Sequence, residues 1–457
     1  MKKNDVVRLS IEEINNLGCG VAHLASGQVV FVRDAVSGDE LDARIIKVTK
    51  SYLVARIERI VTPSALRCEA DCNAVGCGGC VYRHVKYEHE LEIKRAYVQS
   101  AFRKAGLSDV EVAPVRHTGQ LTGYRNKAQY PVRNGKNGME VGFFAVASHR
   151  IVPADECKLQ PPVFSEIVAY VCDFCDKNAI SAYDEERGSG LLRHIYLRCG
   201  ARTGEIMVCL VLNGERISRE SELATALMQA FPDIKSVLVN INTKNTNVVL
   251  GEKYRLIGGR EWIEDMLCGL TFRISAGAFY QVNHDACELL YGIAKDEANL
   301  KGEETLLDLY CGIGTIGLSM ADRAGEVIGI EIVEEAVERA TDNAKRNGIE
   351  RAAFYCGDAS DARGLLATAE AARGRIENAT VILDPPRKGS TPELITYLAE
   401  RNFDRVVYVS CNPDTLARDC ALFRELGYAI GTVTPVDLFP RTGHVESVVC
   451  LERRKAQ

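Results

Sequence analysis

The stretch Arg405–Asp419, RVVYVSCNPDTLARD, sets a cysteine where a run of β-formers ends and a helix begins. Val406 to Val409 read as a strand. Asn412-Pro413 reads as a helix start, with Asn412 as cap and Pro413 as first helical residue, ahead of the periodic Leu416, Phe423 and Leu426. A helix N-terminus favours the thiolate form of a nearby cysteine. The alternative is a buried cysteine that merely ends a strand, and the company Cys411 keeps decides between the two.

That company is a glycine loop, DLYCGIGT (Asp308–Thr315), after the strand-like TLLDLY, and an acid after each of three further strand-like runs. Glu331 closes EVIGIE, Asp358 follows AAFYC, and Asp384 opens DPPRKG. Gly312 and Gly314 let the backbone approach a ligand at a helix start, and an acid ending the next strand suits the hydroxyls of a ribose. The loop has no Gly-Lys-Ser/Thr and is no Walker motif. An adenosine-type ligand without a pyrophosphate fits, and S-adenosylmethionine is the commonest of these.

A thiolate beside a methyl donor has a specific use. Carbon 5 of uracil is a poor nucleophile. Addition of a soft nucleophile to carbon 6 makes an enolate, from which carbon 5 can attack the methyl group, and loss of the carbon 5 proton then lets the thiol leave. A second thiol-rich segment, RCEADCNAVGCGGC, places Cys68, Cys72, Cys77 and Cys80 close together. Four thiolates suit zinc or an iron–sulfur cluster. Cys172 and Cys175 resemble a metal half-site but fall in a helical run, and read as core and surface positions.

The elements that must position these residues divide the chain in three. Residues 286–457 alternate strands with helices, the pattern of a Rossmann-like α/β domain on a parallel sheet, closed by an antiparallel hairpin at its edge. Residues 1–62 alternate apolar and polar with glycine turns, which reads as a small antiparallel β-barrel. Residues 63–285 form a central α+β domain, mostly short strands, with a helix over 88–105. The 457 residues suffice for three cores. No apolar run nears the ~18 residues of a membrane span, and no signal peptide is evident, so a cytoplasmic protein is expected. The 17 cysteines form no disulfide framework, as a reducing compartment requires. The net charge of −6 argues against nucleic acid. Residues 112–139 argue for it locally, since Arg116, Arg125, Lys127, Arg133 and Lys136 stand there without an acid.

SCNPDTLARD, ILDPPRKG, LDLYCGIGT, FYQVN and FPRTGHVESV together resemble the bacterial RNA uracil-5-methyltransferases, and within them the 23S ribosomal RNA enzymes of the RumA (RlmD) type and the dual-site RlmCD type. The resemblance covers nearly the whole chain, with its five motifs in the family's order. It implies a class I methyltransferase domain, an OB-like TRAM barrel that binds RNA, Cys411 as nucleophile and Glu446 as proton-abstracting base. It implies contacts to S-adenosylmethionine from Gln281, Tyr310, Glu331 and Asp384, with Thr315 and Asp358 beside them. It implies a [4Fe–4S] cluster on Cys72, Cys77, Cys80 and Cys157, with Cys68 as reserve ligand because the gap before CGGC is one residue shorter than usual. The partner implied is 23S rRNA before full ribosome assembly, met by a monomer. Phe279 is either a platform for a splayed base or a core aromatic.

Other readings are weaker. A radical methylthiotransferase needs Cys-x3-Cys-x2-Cys, and from Cys72 that spacing lands on Gly76 and Gly79. An amino-group methyltransferase prefers an aromatic after its prolines, where Arg387 stands. A cytosine-5 enzyme carries its nucleophile directly after proline in the fourth strand. A transfer RNA T-loop uridine methyltransferase shares most of the motifs. An RNA-binding protein without catalysis accounts for the barrel and the basic segment, but not for Cys411 together with Glu446.

Overall fold

The computed structural model describes residues 1–154, 156–358 and 361–454. The N-terminal sheet has six strands, β1 (Val6–Ser10), β2 (Glu13–Ile14), β3 (Cys19–His23), β4 (Val29–Arg33), β5 (Glu40–Val48) and β6 (Tyr52–Thr62), in the order β1-β5-β6-β4-β3-β2. Alternate residues of β4 and β5 turn inward, and Val30, Val32, Leu41, Ala43 and Ile45 form its core. The sheet is not wholly antiparallel as the sequence suggests, because β4 and β6 pair in parallel. Hydrophobic alternation reports which face is buried but is blind to strand direction.

After the cysteine-rich segment, helix α1 (Tyr87–Lys104) buries Val98, Ala101 and Phe102 against the C-terminal sheet. The central sheet runs β13-β12-β11-β10-β7-β8-β9, with β7 (Lys127–Asn134), β8 (Met139–Phe144), β9 (Ile151–Pro153), β10 (Leu192–Cys199), β11 (Ile206–Leu212), β12 (Ile234–Ile241) and β13 (Lys253–Gly259). Helices α2 (Val163–Lys177) and α3 (Glu220–Ala230) cover one face of it. Cys172 and Cys175 are both buried there, so neither is a surface position. A hairpin of β14 (Trp262–Leu267) and β15 (Leu270–Ser275) leads to α4 (His284–Ala298), capped by the Asn283 side chain, which accepts from Ala286 N.

The C-terminal sheet begins with β16 (Thr305–Leu309), α5 (Thr315–Ser319), β17 (Glu326–Glu331), α6 (Glu334–Arg346), β18 (Ala352–Cys356) and α7 (Ala362–Arg373). It continues with β19 (Ala379–Leu383), α8 (Pro392–Glu400), β20 (Arg405–Ser410), α9 (Pro413–Glu425), β21 (Tyr428–Ile430), β22 (Thr434–Val436) and β23 (Glu446–Arg453). The order is β18-β17-β16-β19-β20-β23-β21, with β22 also on β23. The first five strands are parallel, and β23 is antiparallel to β20. The ending is thus the antiparallel hairpin at the sheet edge that the sequence suggests, with its last strand as the inner one. The last strand inserts beside β20, and β21 and β22 pair on its far side. No described helix is long and apolar enough to cross a membrane.

Candidate active site

In such a sheet ligands sit beyond the C-terminal strand ends where the strand order reverses, here between β16 and β19. Asp308, fully buried at the end of β16, accepts from Gly317 N at 2.9 Å and so ties the glycine loop to its strand. A Cβ at Gly317 would lie 2.8 Å from Asp308 Oδ2, so the close approach needs glycine. Gly312, Gly314 and Gly317 follow the G-x-G-x-x-G spacing, and the loop by itself does not choose between a dinucleotide and a lone adenosine. Tyr310 and Gly312 both have positive φ, 70° and 54°, and a Cβ at Gly312 would meet nothing within 4 Å. The loop is open at that point.

Glu331 Oε2 accepts from Gly312 N at 3.1 Å and Oε1 from Val333 N at 3.0 Å. A carboxylate has about four lone-pair sites, so two remain for a ribose. Asp358 is exposed beyond β18. The Thr315 hydroxyl lies 2.9 Å from that of buried Tyr291. Gln281 is buried, and its neighbour Tyr280 donates to Asp265. Phe279 is 65% exposed and so is not a core aromatic. Its approach is held from behind by buried Arg198, whose guanidinium donates to the carbonyls of Ser275 and Ala278.

Cys411 follows β20 directly. Asn412 caps α9 by accepting from Asp414 N at 3.1 Å. Its amide also donates to Arg387 O at 2.9 Å, which joins the turn of Cys411 to the turn after Asp384. On the other side, β20 and β23 pair with Ser410 opposite Ser447. Cys411 and Glu446 are the next residues beyond that last pair, and Glu446 lies near enough to act on the Cys411 thiol. Glu446 is only 4% exposed, and no described residue hydrogen-bonds its carboxylate. The solvated edge position a terminal strand suggests is thus corrected, because β23 lies inside the sheet.

Burial holds the Glu446 carboxyl up, to about 8, with Asp384 adding to the rise and Arg387 opposing it. Burial alone lifts Asp384 to about 7. Burial, then Glu446 and Asp384, push the Cys411 thiol up to about 11, again against Arg387. Desolvation and the two acids thus act on the thiol in the direction opposite to that expected from the helix N-terminus. Arg387 is the residue that sequence reasoning passed over, although it stands in the DPPRKG motif.

A cavity of about 760 Å³ lies beside this centre, where the N-terminal sheet, the central sheet and the C-terminal sheet meet. Cys72, Cys77, Cys80 and Cys157 line it, together with Arg125, Lys127, Arg387, Phe439 and His444. Arg83 donates to Cys80 Sγ at 3.3 Å and pairs with Asp71. Burial lifts the thiols of Cys77, Cys80 and Cys157. Cys68 is turned away, its thiol donating to Arg83 O at 3.4 Å.

Comparison with known proteins agrees with this geometry. The tRNA (Uracil-5-)-methyltransferase family profile matches residues 86–454, and that of the TRAM domain residues 2–57. Uncharacterized RNA methyltransferases of Halalkalibacterium halodurans and Clostridium acetobutylicum are 40% and 38% identical, each over 99% of this chain and 98% of their own. A solved structure of Pyrococcus abyssi tRNA (uracil-54, C5)-methyltransferase in complex with S-adenosyl-L-homocysteine has a TM-score of 0.76 and 29% identity, covering 97% of this chain and 99% of that one. The chain belongs to the tRNA (uracil-5-)-methyltransferase family and is a uracil-5 RNA methyltransferase with an N-terminal TRAM domain.

Proposed function

We propose that this enzyme methylates carbon 5 of uridine in 23S ribosomal RNA through a covalent adduct on Cys411. The observation that carries the covalent reading is the placement of Cys411 near buried Glu446, the two being the next residues beyond the paired Ser410 and Ser447. S-adenosylmethionine would lie over the glycine loop, with Glu331 on its ribose, Asp384 and Gln281 toward its methionine end, and Tyr310, Thr315 and Asp358 around it. The target base leaves its stack to enter the site, with exposed Phe279 as a stacking surface.

Cys411 gives its proton to solvent, its thiolate sulfur bonds to carbon 6, and the electron pair of the 5,6 double bond moves onto the ring as an enolate. Carbon 5 takes the methyl group while the sulfonium–methyl bond breaks, leaving S-adenosylhomocysteine. Glu446 takes the hydrogen of carbon 5, the 5,6 double bond reforms, and the C6–S bond breaks to free the thiolate. Arg387 is the nearby cation that offsets the negative charge gathered by these steps.

Cys72, Cys77, Cys80 and Cys157 fit a [4Fe–4S] cluster by their chemistry and by their shared cavity, and Cys68 does not face it. Among the described residues no three of these sulfurs lie within 4.8 Å of one another. Four thiolates also suit a tetrahedral zinc, and it is the sequence resemblance that favours the larger centre. Such a cluster would tie two distant chain segments together, and methyl transfer needs no electrons from it.

We read the enzyme as a cytoplasmic monomer acting on RNA before ribosomal proteins enclose the target. A transfer RNA uridine is the second reading. The Pyrococcus abyssi enzyme favours it, because that tRNA (uracil-54) enzyme aligns along 99% of its own length, N-terminal region included. Presence of the barrel therefore does not by itself separate the two substrates. Mapping 5-methyluridine by mass spectrometry in RNA from a deletion strain decides. Loss from 23S RNA is expected, and loss from transfer RNA alone selects the second reading.

A further inference from the structure

Asp437–Gly443 joins β22 to β23 and leads into Glu446. Val436, just before it, pairs with Glu446 itself. Four successive carbonyls of this segment are taken by four separate parts of the chain. Leu438 O accepts from Asn283 Nδ2 at 3.0 Å, Phe439 O from Lys94 Nζ at 3.1 Å, and Pro440 O from the Tyr124 hydroxyl at 2.9 Å. Arg441 O accepts from the backbone N–H of Val81 and Tyr82, at the end of the cysteine segment. Arg441 has a φ of +71°, a conformation a side chain resists unless its surroundings impose it.

Lys94 is the centre of this arrangement. Its ammonium donates to Glu90 Oε1 at 2.7 Å, to Asp437 Oδ1 at 2.7 Å and to Phe439 O, so its three N–H groups are all used. Lys94, Glu90 and Asp437 are shut away from water. The Tyr87 hydroxyl donates to Asp437 Oδ2 at 2.8 Å, and Arg441 N donates to Glu90 Oε1 at 2.7 Å. A buried ion network of this kind is a poor way to gain stability, since apolar residues of the same volume do as well. What it supplies is a single geometry, with helix α1 fixed to Asp437, Phe439 and Arg441 in the segment that follows Val436, the pairing partner of Glu446.

We propose that Lys94, acting through Asp437 and with Tyr124, is a positioning residue for Glu446 in the proton-abstraction step. The inference rests on the role of Glu446 proposed above. It requires that loosening the segment slow release of the methylated product more than formation of the methylated adduct. The latter depends on Cys411 and the cofactor loop, to which this network makes no bond.

The test follows a single turnover of the full-length enzyme with RNA and radiolabelled S-adenosylmethionine, timing methyl incorporation and resolution of the protein–RNA conjugate separately. Lys94→Met is expected to incorporate methyl within about threefold of the parent rate and to resolve the conjugate at least about tenfold more slowly, the scale of a sub-ångström misplacement. Tyr124→Phe, which removes one hydroxyl and keeps the packing, is expected to shift the same ratio by a smaller factor, and it carries the test if Lys94→Met does not fold. Equal slowing of both steps, or no change in either for folded Tyr124→Phe, overturns the positioning role. Glu446→Gln run alongside separates the two levels. If it stalls as a conjugate while the Lys94 and Tyr124 variants do not, only the positioning role fails. If it does not stall, the reading of Glu446 fails and this inference with it.

Discussion

Two influences meet at Cys411 and oppose each other. The start of α9 favours a thiolate, whereas burial and the acids Glu446 and Asp384 hold the thiol protonated, to about 11. Under the proposed function the cofactor would change that balance, because its sulfonium would bring a positive charge toward Asp384. Alkylation of Cys411, followed on its own peptide by mass spectrometry, is therefore expected to rise with pH toward about 11 in the free enzyme. S-adenosylmethionine should move that rise to lower pH, and S-adenosylhomocysteine, which lacks the charge, should not. Equal effects of the two would remove the electrostatic account. The cysteine, the cap and Pro413 were legible in the sequence because each is a local signal. The raised thiol was not, since it depends on Glu446, a residue 35 positions away in the chain, and on the closure of the sheet over both.

Among the elements, β23 is the one whose position carries the chemistry. Its alternating valines announce a strand, but nothing local says that it lies between β20 and β21. The edge hairpin read from the sequence is present, but its last strand is the inner one; as the outer strand it would have left Glu446 in water. Insertion beside β20 buries the carboxylate and brings it near the thiol. Helix α3 escaped the sequence reading in a stretch taken for short strands, and the parallel pairing of β4 with β6 had no local signature at all. The cysteine segment was legible as a set of thiols, and its fold sorts them. Anaerobically prepared protein is expected to contain about four iron atoms. Cys77→Ala, Cys80→Ala and Cys157→Ala should lose them, while Cys68→Ala should keep them. Stoichiometric zinc without iron, or loss of iron in Cys68→Ala, would contradict the assignment.

For the molecule as a whole, the acidic net charge conceals a local basic wall. Of the basic segment read in the sequence, Arg133 is occupied by Glu140, whereas Arg125 and Lys127 line the cavity between the three sheets and form no ion pair with any described acid. Burial, with Arg198 and Arg125 nearby, lowers the Lys127 ammonium to about 8, and an anionic phosphate would draw it back up. Replacing Arg125 and Lys127 together by Gln is expected to weaken RNA binding and to flatten its salt dependence by about one unit of log–log slope per lost phosphate contact. S-adenosylmethionine affinity should stay unchanged. An unaltered slope would place the RNA elsewhere on the surface.

The central claim is that Cys411 and Glu446 serve opposite ends of one covalent cycle, and a denaturing gel of enzyme mixed with target RNA and S-adenosylmethionine tests it directly. Glu446→Gln is expected to methylate once and persist as a protein–RNA conjugate, while Cys411→Ala forms no conjugate and transfers no methyl group. Turnover of Glu446→Gln at the parent rate without a conjugate, or methylation by Cys411→Ala, would contradict it.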